Sequence, residues 1–220
     1  MTANRGRLIT VEGLDGSGKT TLASGLVRAL RQRNLDVELR REPGGVEVAE
    51  RIRDLVRDPA LRIGSRAEAL LYAAARAQLV DEALAPLLRA GTWVVLDRFF
   101  DSSLAYQGTA RGLGIDEVAA INRFATAGLV PDRTLLLVIA PELGRARSRE
   151  RAAPSDRLEQ ESDEFFGRVA AGYSELAARQ PERIRSLDAS ASPERLLDAA
   201  LEELDDLLRD AGSGPGGSKI

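Results

Sequence analysis

The chain has 220 residues, a net charge of −3 and a sequence pI near 5.3, which suits one domain with a sizeable core and argues against a general nucleic-acid-binding protein. Its longest apolar runs, residues 70–75 and 135–140, are too short to span a bilayer, and the first residues lack an apolar signal core, so we expect no membrane partner and a cytoplasmic location. No cysteine or histidine is present, which excludes disulfides, thiolate or Ser–His nucleophiles, and Cys or His metal sites.

Short apolar runs alternate with longer amphipathic stretches along the chain. Strands are predicted at Leu8–Glu12, Val37–Arg41, Trp93–Leu96, Thr134–Ile139 and Ile184–Leu187. Helices are predicted at Lys19–Gln32, Val46–Val56, Arg66–Arg89, Ile115–Ala127, Pro141–Arg149, Glu159–Arg179 and Pro193–Arg209. This alternation predicts an α/β fold in which a five-stranded parallel sheet is covered by helices on both faces. Residues 1–210 are expected to form a single domain, and the Gly/Ser-rich residues 211–220 a flexible tail.

The first predicted strand leads into a phosphate-binding motif. Its residues, Gly13-Leu14-Asp15-Gly16-Ser17-Gly18-Lys19-Thr20, match G-x-x-x-x-G-K-[ST] and open a predicted helix. The spacing predicts a P-loop NTP hydrolase-type fold that binds ATP, with Lys19 at the β- and γ-phosphates and Thr20 as a ligand of Mg²⁺. Phosphoryl transfer suits a chain without Cys or His, because it depends on positioning and charge neutralisation. Lys19 and Lys219 are the only lysines among 31 basic residues.

Nucleotide-binding loops also serve switches and motors. The Asn-Lys-x-Asp segment of Ras-type GTPases is absent, as is a transporter signature of the LSGGQ type. A small-molecule kinase is therefore favoured, and a nucleotide-dependent switch or assembly ATPase is the alternative from another class.

Three further segments resemble those of the bacterial thymidylate kinases, in the family's order and spacing over about residues 7–210. The segments are Arg41-Glu42-Pro43-Gly44-Gly45, Tyr72-Ala73-Ala74-Ala75-Arg76-Ala77-Gln78 and the stretch DRFFDSSLAYQG at residues 97–108. The resemblance implies transfer of the γ-phosphoryl group of ATP to dTMP with Mg²⁺, and a homodimer. A kinase for another nucleoside monophosphate remains the alternative within this class.

The resemblance also implies roles for the acceptor-site residues. Arg98 would grip the acceptor phosphate as a guanidinium fork, Asp97 would orient Mg²⁺ or its waters, and Asp15 would approach the 3′-hydroxyl, a phosphate or the metal. Besides Arg98, the implied dTMP-binding residues include Glu42 and Arg53, which would line the pocket, and Tyr72, which would stack on thymine where the family more often has Phe. Arg76 would donate to a base carbonyl, and Ser103 and Gln107 would contact the pyrimidine edge. Tyr106 would pack against C2′ of the sugar.

Residues 144–157 contain five arginines. Some members of the family carry an arginine in the phosphate-binding loop, and others replace it with a basic lid. The matching loop position here is Gly16, so the resemblance implies a lid at about residues 142–157. We expect Arg147, Arg149 and Arg151, together with Lys19, Arg98 and Asp15, to act in catalysis. A solvated helix face is the alternative. In a variant that lacks a lid arginine, an arginine introduced at position 16 is expected to restore part of the rate, provided the loop tolerates its bulk.

Overall fold

The computed structural model describes residues 5–149 and 156–212. The strands are β1 (Leu8–Gly13), β2 (Val37–Arg41), β3 (Trp93–Asp97), β4 (Arg133–Val138) and β5 (Ile184–Asp188). The helices are α1 (Lys19–Gln32), α2 (Glu47–Arg57), α3 (Ser65–Leu79), α4 (Ala85–Arg89), α5 (Phe100–Ser103), α6 (Ile115–Ala125), α7 (Pro141–Arg149), α8 (Asp163–Arg179), α9 (Pro193–Glu202) and α10 (Asp205–Gly212). Two π-helical segments, Val80–Leu84 and Leu104–Ala110, follow α3 and α5.

The five strands form one parallel sheet in the order β2-β3-β1-β4-β5. This confirms the predicted five-stranded parallel sheet. In register, Val11 of β1 and Arg41 of β2 both lie beside Asp97 of β3. The carboxyl ends of these three strands therefore meet at one edge, where open α/β sheets bind ligands.

Both faces of the sheet are buried, because successive side chains of a strand point to opposite faces. Leu8 of β1 packs in one apolar cluster with Val94 and Leu96, whereas Ile9 and Val11 pack in a second, larger cluster. The central strands are consequently apolar at consecutive residues, as the sequence suggested.

The long helix predicted over Arg66–Arg89 is interrupted. The α-helical pattern of α3 gives way to the π-helical turn Val80–Leu84 before α4 begins. Pro86 lies in the first turn of α4. Since proline has no N–H to donate to the preceding turn, the regular hydrogen-bond ladder cannot continue through it.

Two other predicted helices differ at their boundaries. The helix expected from Glu159 begins at Asp163, because the Ser162 hydroxyl caps it by accepting from the amide of Phe165 at 3.2 Å. The helix expected over Pro193–Arg209 is divided into α9 and α10.

Part of the predicted lid, residues 150–155, lies outside the described residues, as do tail residues 213–220. Helix α10 continues to Gly212, two residues past the expected end of the domain. Among the helices of the described ranges, none is long and apolar enough to cross a membrane.

Candidate active site

A cleft of about 540 Å³ lies at the carboxyl ends of β1, β2 and β3. Both sets of predicted residues, those for the phosphate donor and those for the acceptor, contribute to its wall. Its lining includes Asp15, Lys19, Thr20, Glu42, Arg53, Tyr72, Arg76, Asp97, Arg98, Ser103, Tyr106 and Gln107. The structure thus gathers every residue of the implied dTMP-binding set, although these residues come from the three segments and from Arg53 of α2.

The loop from Gly13 to Thr20 curls around the amino terminus of α1. Gly18 precedes the helix with a left-handed φ of 93°, and the amide of Ser17 donates to the carbonyl of Leu14 at 3.2 Å. Gly16 is also left-handed, and a Cβ there would lie 2.0 Å from the carbonyl oxygen of Gly144 in α7. The unpaired amides at the start of a helix favour bound phosphate.

Lys19 is folded over this loop. Its Nζ donates to the carbonyl of Leu14 at 2.7 Å and lies 3.9 Å from Oδ1 of Asp15. Burial, together with the positive charge of Arg98, lowers the pKa of Lys19 from its ordinary 10.5 to about 8. The ammonium is therefore held among loop atoms, beside the place where the loop would receive phosphate.

The two residues expected at a metal ion lie together. The Thr20 hydroxyl donates to Oδ2 of Asp97 at 2.7 Å. Among the described residues, no group of three or more acidic side chains could hold a metal unaided. A hydroxyl beside a carboxylate offers the hard oxygen ligands that suit Mg²⁺, an ion that usually keeps waters and substrate phosphates in its coordination. This donor set fits the implied cofactor.

Arg98 follows β3 in a strained conformation, with φ at +69°. Its Nη2 is 2.6 Å from Oδ1 of Asp15, and its Nη1 donates to the carbonyl of Gly13 and to the hydroxyl of Ser102, each at 3.1 Å. The guanidinium also lies 5.4 Å from the centre of the Tyr106 ring. Strain of this kind at a non-glycine residue is concentrated at functional sites.

A buried ion pair forms the floor of the acceptor side. Arg76 donates through Nε to Oε2 of Glu42 at 2.8 Å, and its Nη2 lies 2.6 Å from the same oxygen. Its other donors go to Ser103, Asn122 and the carbonyl of Phe99. All five guanidinium protons consequently have protein acceptors.

Glu42 has one oxygen in a different situation. Its buried Oε1 has no hydrogen-bond partner among the residues that the structure describes. Burial raises the pKa of Glu42 from its ordinary 4.5 to about 7, although Arg76 acts in the opposite direction. Arg53 lies nearby and donates to the carbonyl of Pro43 at 2.8 Å, after a cis Glu42–Pro43 bond.

Aromatic side chains form another part of the wall. The buried Tyr106 ring meets Tyr173 edge-on, and its hydroxyl has no partner within the described ranges. Burial raises the pKa of Tyr106 well above its ordinary value, so the hydroxyl remains a donor at neutral pH. Tyr72 also lines the cleft, and burial likewise raises its pKa. Neutral rings and polar edges are suited to a planar ligand.

Comparison with known proteins identifies the family. Residues 11–200 match the sequence model of the thymidylate kinases. The thymidylate kinase of Lactobacillus delbrueckii subsp. bulgaricus is 46% identical over 201 residues, covering 90% of this chain and 95% of the relative. That of Rhizorhabdus wittichii is 47% identical over 205 residues, covering 92% and 99%. The chain belongs to the thymidylate kinase family.

The fold agrees with this family. The crystal structure of thymidylate kinase from Ehrlichia chaffeensis aligns with a TM-score of 0.74 at 28% identity, covering 91% of this chain and 99% of that one. The match confirms the α/β fold of P-loop type.

The arginines expected in the lid differ from one another in the residues that they contact. Arg145 donates to the carbonyl of Glu161 at 3.0 Å, pairs with Asp163 at 2.6 Å, and lies 4.9 Å from the Phe166 ring centre. It therefore fastens α7 to the start of α8. Arg147 donates to the carbonyl of Ala189 at 3.0 Å. The side chain of Arg149 and all of Arg151 lie outside the described residues.

The fifth arginine of the cluster, Arg157, reaches a carboxylate that sequence reasoning missed. Glu68, on α3, is fully buried and receives Arg157 at 2.6 Å and Arg111 at 3.1 Å. Gln107 donates to its other oxygen at 2.8 Å. Despite burial, these hydrogen bonds lower the pKa of Glu68. Glu68 thus ties a predicted base-contacting residue to the segment after α7, and its i,i+4 spacing from Tyr72 was the available signal.

Glu12, at the end of β1, was also missed. It is fully buried and accepts from the amide of Phe99 at 2.7 Å and from the hydroxyls of Ser102 and Tyr173 at 2.6 and 2.9 Å. Burial and the neighbouring Asp101 raise its pKa. A carboxylate within the apolar run LITVEG was itself a signal, because a buried acid needs dedicated partners.

Proposed function

We propose that this protein transfers the γ-phosphoryl group of ATP to dTMP, forming dTDP and ADP. One observation carries the proposal. Asp15 Oδ1 lies 3.9 Å from Lys19 Nζ and 2.6 Å from Arg98 Nη2, so the phosphate-binding loop and the arginine after β3 share one carboxylate. A donor phosphate on the loop and an acceptor phosphate at Arg98 would therefore be neighbours within the same cleft.

The chemistry follows from charge and position. The acceptor is already a phosphate oxyanion, so no side chain has to remove a proton from it. Lys19 and Arg98 would neutralise charge on the transferring group from two sides, which is the main requirement of phosphoryl transfer. The lid arginines Arg147, Arg149 and Arg151 would add positive charge from a third direction.

Thr20 and Asp97 are the residues that would hold Mg²⁺. When bound, the ion supplies electrostatic neutralisation of the ATP oxygens. Two protein ligands would leave most of the coordination of the ion to phosphate and water.

Recognition of dTMP is assigned to the acceptor wall. Tyr72 would stack on the base, while Arg76, Ser103 and Gln107 would meet its polar edge. Arg76 already donates to Ser103 at 3.0 Å, so a base carbonyl would join a connected polar group rather than an isolated cation. Tyr106 would exclude a ribose 2′-hydroxyl, and the remaining pocket residues are Glu42 and Arg53.

The location and assembly are also proposed. We assign the protein to the cytoplasm and expect a homodimer. Large apolar side chains are exposed on α2, α3 and α6, and exposed apolar patches of this kind are typical of interfaces. The residues are Val48, Leu55, Leu70 and Phe124, with Phe124 91% exposed.

A substrate panel tests the assignment of the acceptor. ATP consumption is followed in a coupled assay with dTMP, dUMP, UMP, CMP and AMP in turn, and kcat/KM should be highest for dTMP. Equal or higher kcat/KM for UMP or AMP would overturn the assignment of the acceptor site, and ATP hydrolysis indifferent to every monophosphate would favour a nucleotide switch.

A further inference from the structure

Glu12 lies behind the cleft rather than in it. Its side chain is fully buried, and it is not among the described residues that line the cleft. Oε1 accepts from the amides of Phe99 and Ser102 at 2.7 and 3.3 Å, and Oε2 accepts from the hydroxyls of Ser102 and Tyr173 at 2.6 and 2.9 Å. Glu12 therefore cannot touch a substrate directly, but both of its carboxylate oxygens accept hydrogen bonds from the protein.

Two backbone hydrogen bonds hold the chain at Arg98 and at the residue after it. The amide of Arg98 donates to the carbonyl of Val11 at 3.0 Å, and the next amide, of Phe99, donates to Oε1 of Glu12. Between these two bonds Arg98 has its φ of +69°. A non-glycine residue keeps that conformation only where its surroundings hold it, and neighbouring residues of β1 supply both attachments.

The side chain of Arg98 depends on the same carboxylate. Its Nη1 lies 3.1 Å from the Ser102 hydroxyl and 3.5 Å from the Tyr173 hydroxyl. Both hydroxyls are bonded to Oε2 of Glu12. Glu12 thus fixes the backbone turn and two of the oxygens that orient the guanidinium.

We propose that Glu12 is a positioning residue that holds Arg98 in the geometry needed to bind the acceptor phosphate. The inference rests on the proposed role of Arg98. The competing explanation is that Glu12 only stabilises the start of α5 by accepting hydrogen bonds from the amides of Phe99 and Ser102. The two explanations differ in one respect: positioning affects ligands that carry the phosphate, whereas a structural role affects any ligand of the cleft.

The test measures binding of dTMP and of thymidine, which lacks the phosphate, by calorimetry. Glu12→Gln keeps the shape but removes the charge. It should weaken dTMP binding about tenfold, as expected for a lost hydrogen bond to a charged group, and leave thymidine binding within about twofold. Equal weakening of both ligands, or no weakening of either, would overturn the proposal.

Asp101→Asn is the matched control. Asp101 of α5 is also a buried carboxylate, but it pairs with Arg183 at 2.6 Å and accepts from the Thr134 hydroxyl at 3.2 Å. Its replacement should lower the melting temperature and leave the dTMP-to-thymidine affinity ratio unchanged. A change in that ratio as large as that of Glu12→Gln would show that any buried charge here has the same effect, and would contradict the proposal.

Arg98→Ala distinguishes a failure of the proposed role of Arg98 from a failure of the proposed role of Glu12. It should reduce the same affinity ratio, and Glu12→Gln added to it should cause no further loss. If Arg98→Ala leaves the ratio intact, the proposed role of Arg98 fails; if only Glu12→Gln leaves it intact, the present inference fails. Should Glu12→Gln not fold, Tyr173→Phe removes one link in the same network and should reduce the ratio by a smaller factor, whereas an unchanged ratio would again contradict the inference.

Discussion

Substitution of Lys19 is expected to affect turnover without affecting stability. Its Nζ bonds only to atoms of its own loop among the contacts described above, so its loss should leave the core intact. Lys19→Met should lower kcat by on the order of 10²–10⁴-fold, because the charge on the transferring group loses a neutralising partner. The melting temperature should stay close to that of the wild type.

Lys19→Arg is the informative companion variant. The buried ammonium sits 2.7 Å from the carbonyl of Leu14, and the planar guanidinium is a larger group. Turnover should remain impaired although the charge is kept. Near-normal kcat in Lys19→Met would refute the assigned role.

Glu42 predicts a pH dependence of stability. Its pKa is raised to about 7 in the folded protein from an ordinary 4.5. Between these values the folded chain retains a proton that the unfolded chain has lost, so this contribution to stability falls as pH rises. The free energy of unfolding of the wild type, relative to that of Glu42→Gln, should decrease by on the order of 3 kcal/mol from pH 5 to pH 8. Urea unfolding of both proteins at the two pH values measures it, and a constant or increasing difference would disprove the raised pKa.

At the scale of single residues, the resemblance to the thymidylate kinases predicted which side chains would share the cleft, and these side chains do line it. Glu12 and Glu68 escaped prediction for a physical reason. Their partners, Tyr173 and Arg157, lie 161 and 89 residues away along the chain. Such partnerships depend on packing, so the local signals at Glu12 and Glu68 could mark the two residues without identifying their partners.

Helix α7 forms the first part of the proposed lid. Arg145 is bound to Glu161 and Asp163, and Arg147 donates to the carbonyl of Ala189. Arg147, Arg149 and Arg151 are the residues proposed to face phosphates. Arg145→Ala should lower the melting temperature with a modest effect on kcat. At least one of Arg147→Ala, Arg149→Ala and Arg151→Ala should lower kcat by roughly 10²-fold, about 3 kcal/mol.

The KM for dTMP should change little in these lid variants, because loss of a transition-state contact lowers kcat and kcat/KM together. Steady-state kinetics on the four alanine variants provides the comparison. Wild-type turnover in the variants at 147, 149 and 151 would mean that the cluster is a solvated helix face.

The condition set for rate rescue by an arginine at position 16, that the loop tolerates the side chain, is not met. A Cβ at Gly16 would lie 2.0 Å from the carbonyl of Gly144, and the left-handed φ of 78° disfavours any side chain. Sequence reasoning could identify the missing charge but not the contact between the loop and α7. Element types were otherwise predictable from hydrophobic periodicity, whereas the π-helical turns were not, because their apolar pattern resembles that of the adjoining α-helix.

For the whole molecule, the proposed homodimer gives a direct physical test. Phe124 is 91% exposed on α6, which is costly for a large apolar ring unless a partner covers it. Phe124→Asp should shift the molar mass measured by light scattering from that of a dimer toward that of a monomer. Leu143→Asp, a comparable change on α7, should leave the mass unchanged. A wild-type protein that is monomeric at micromolar concentration would refute the dimer.

The central claim is that donor and acceptor phosphates meet between the phosphate-binding loop and Arg98. The most direct measurement is phosphorus NMR of the products formed by the wild-type protein from ATP, Mg²⁺ and dTMP. The account predicts dTDP and ADP in equal amounts, with little inorganic phosphate. ADP and inorganic phosphate without dTDP would show that the cleft hydrolyses ATP and does not join the two nucleotides, and would contradict it.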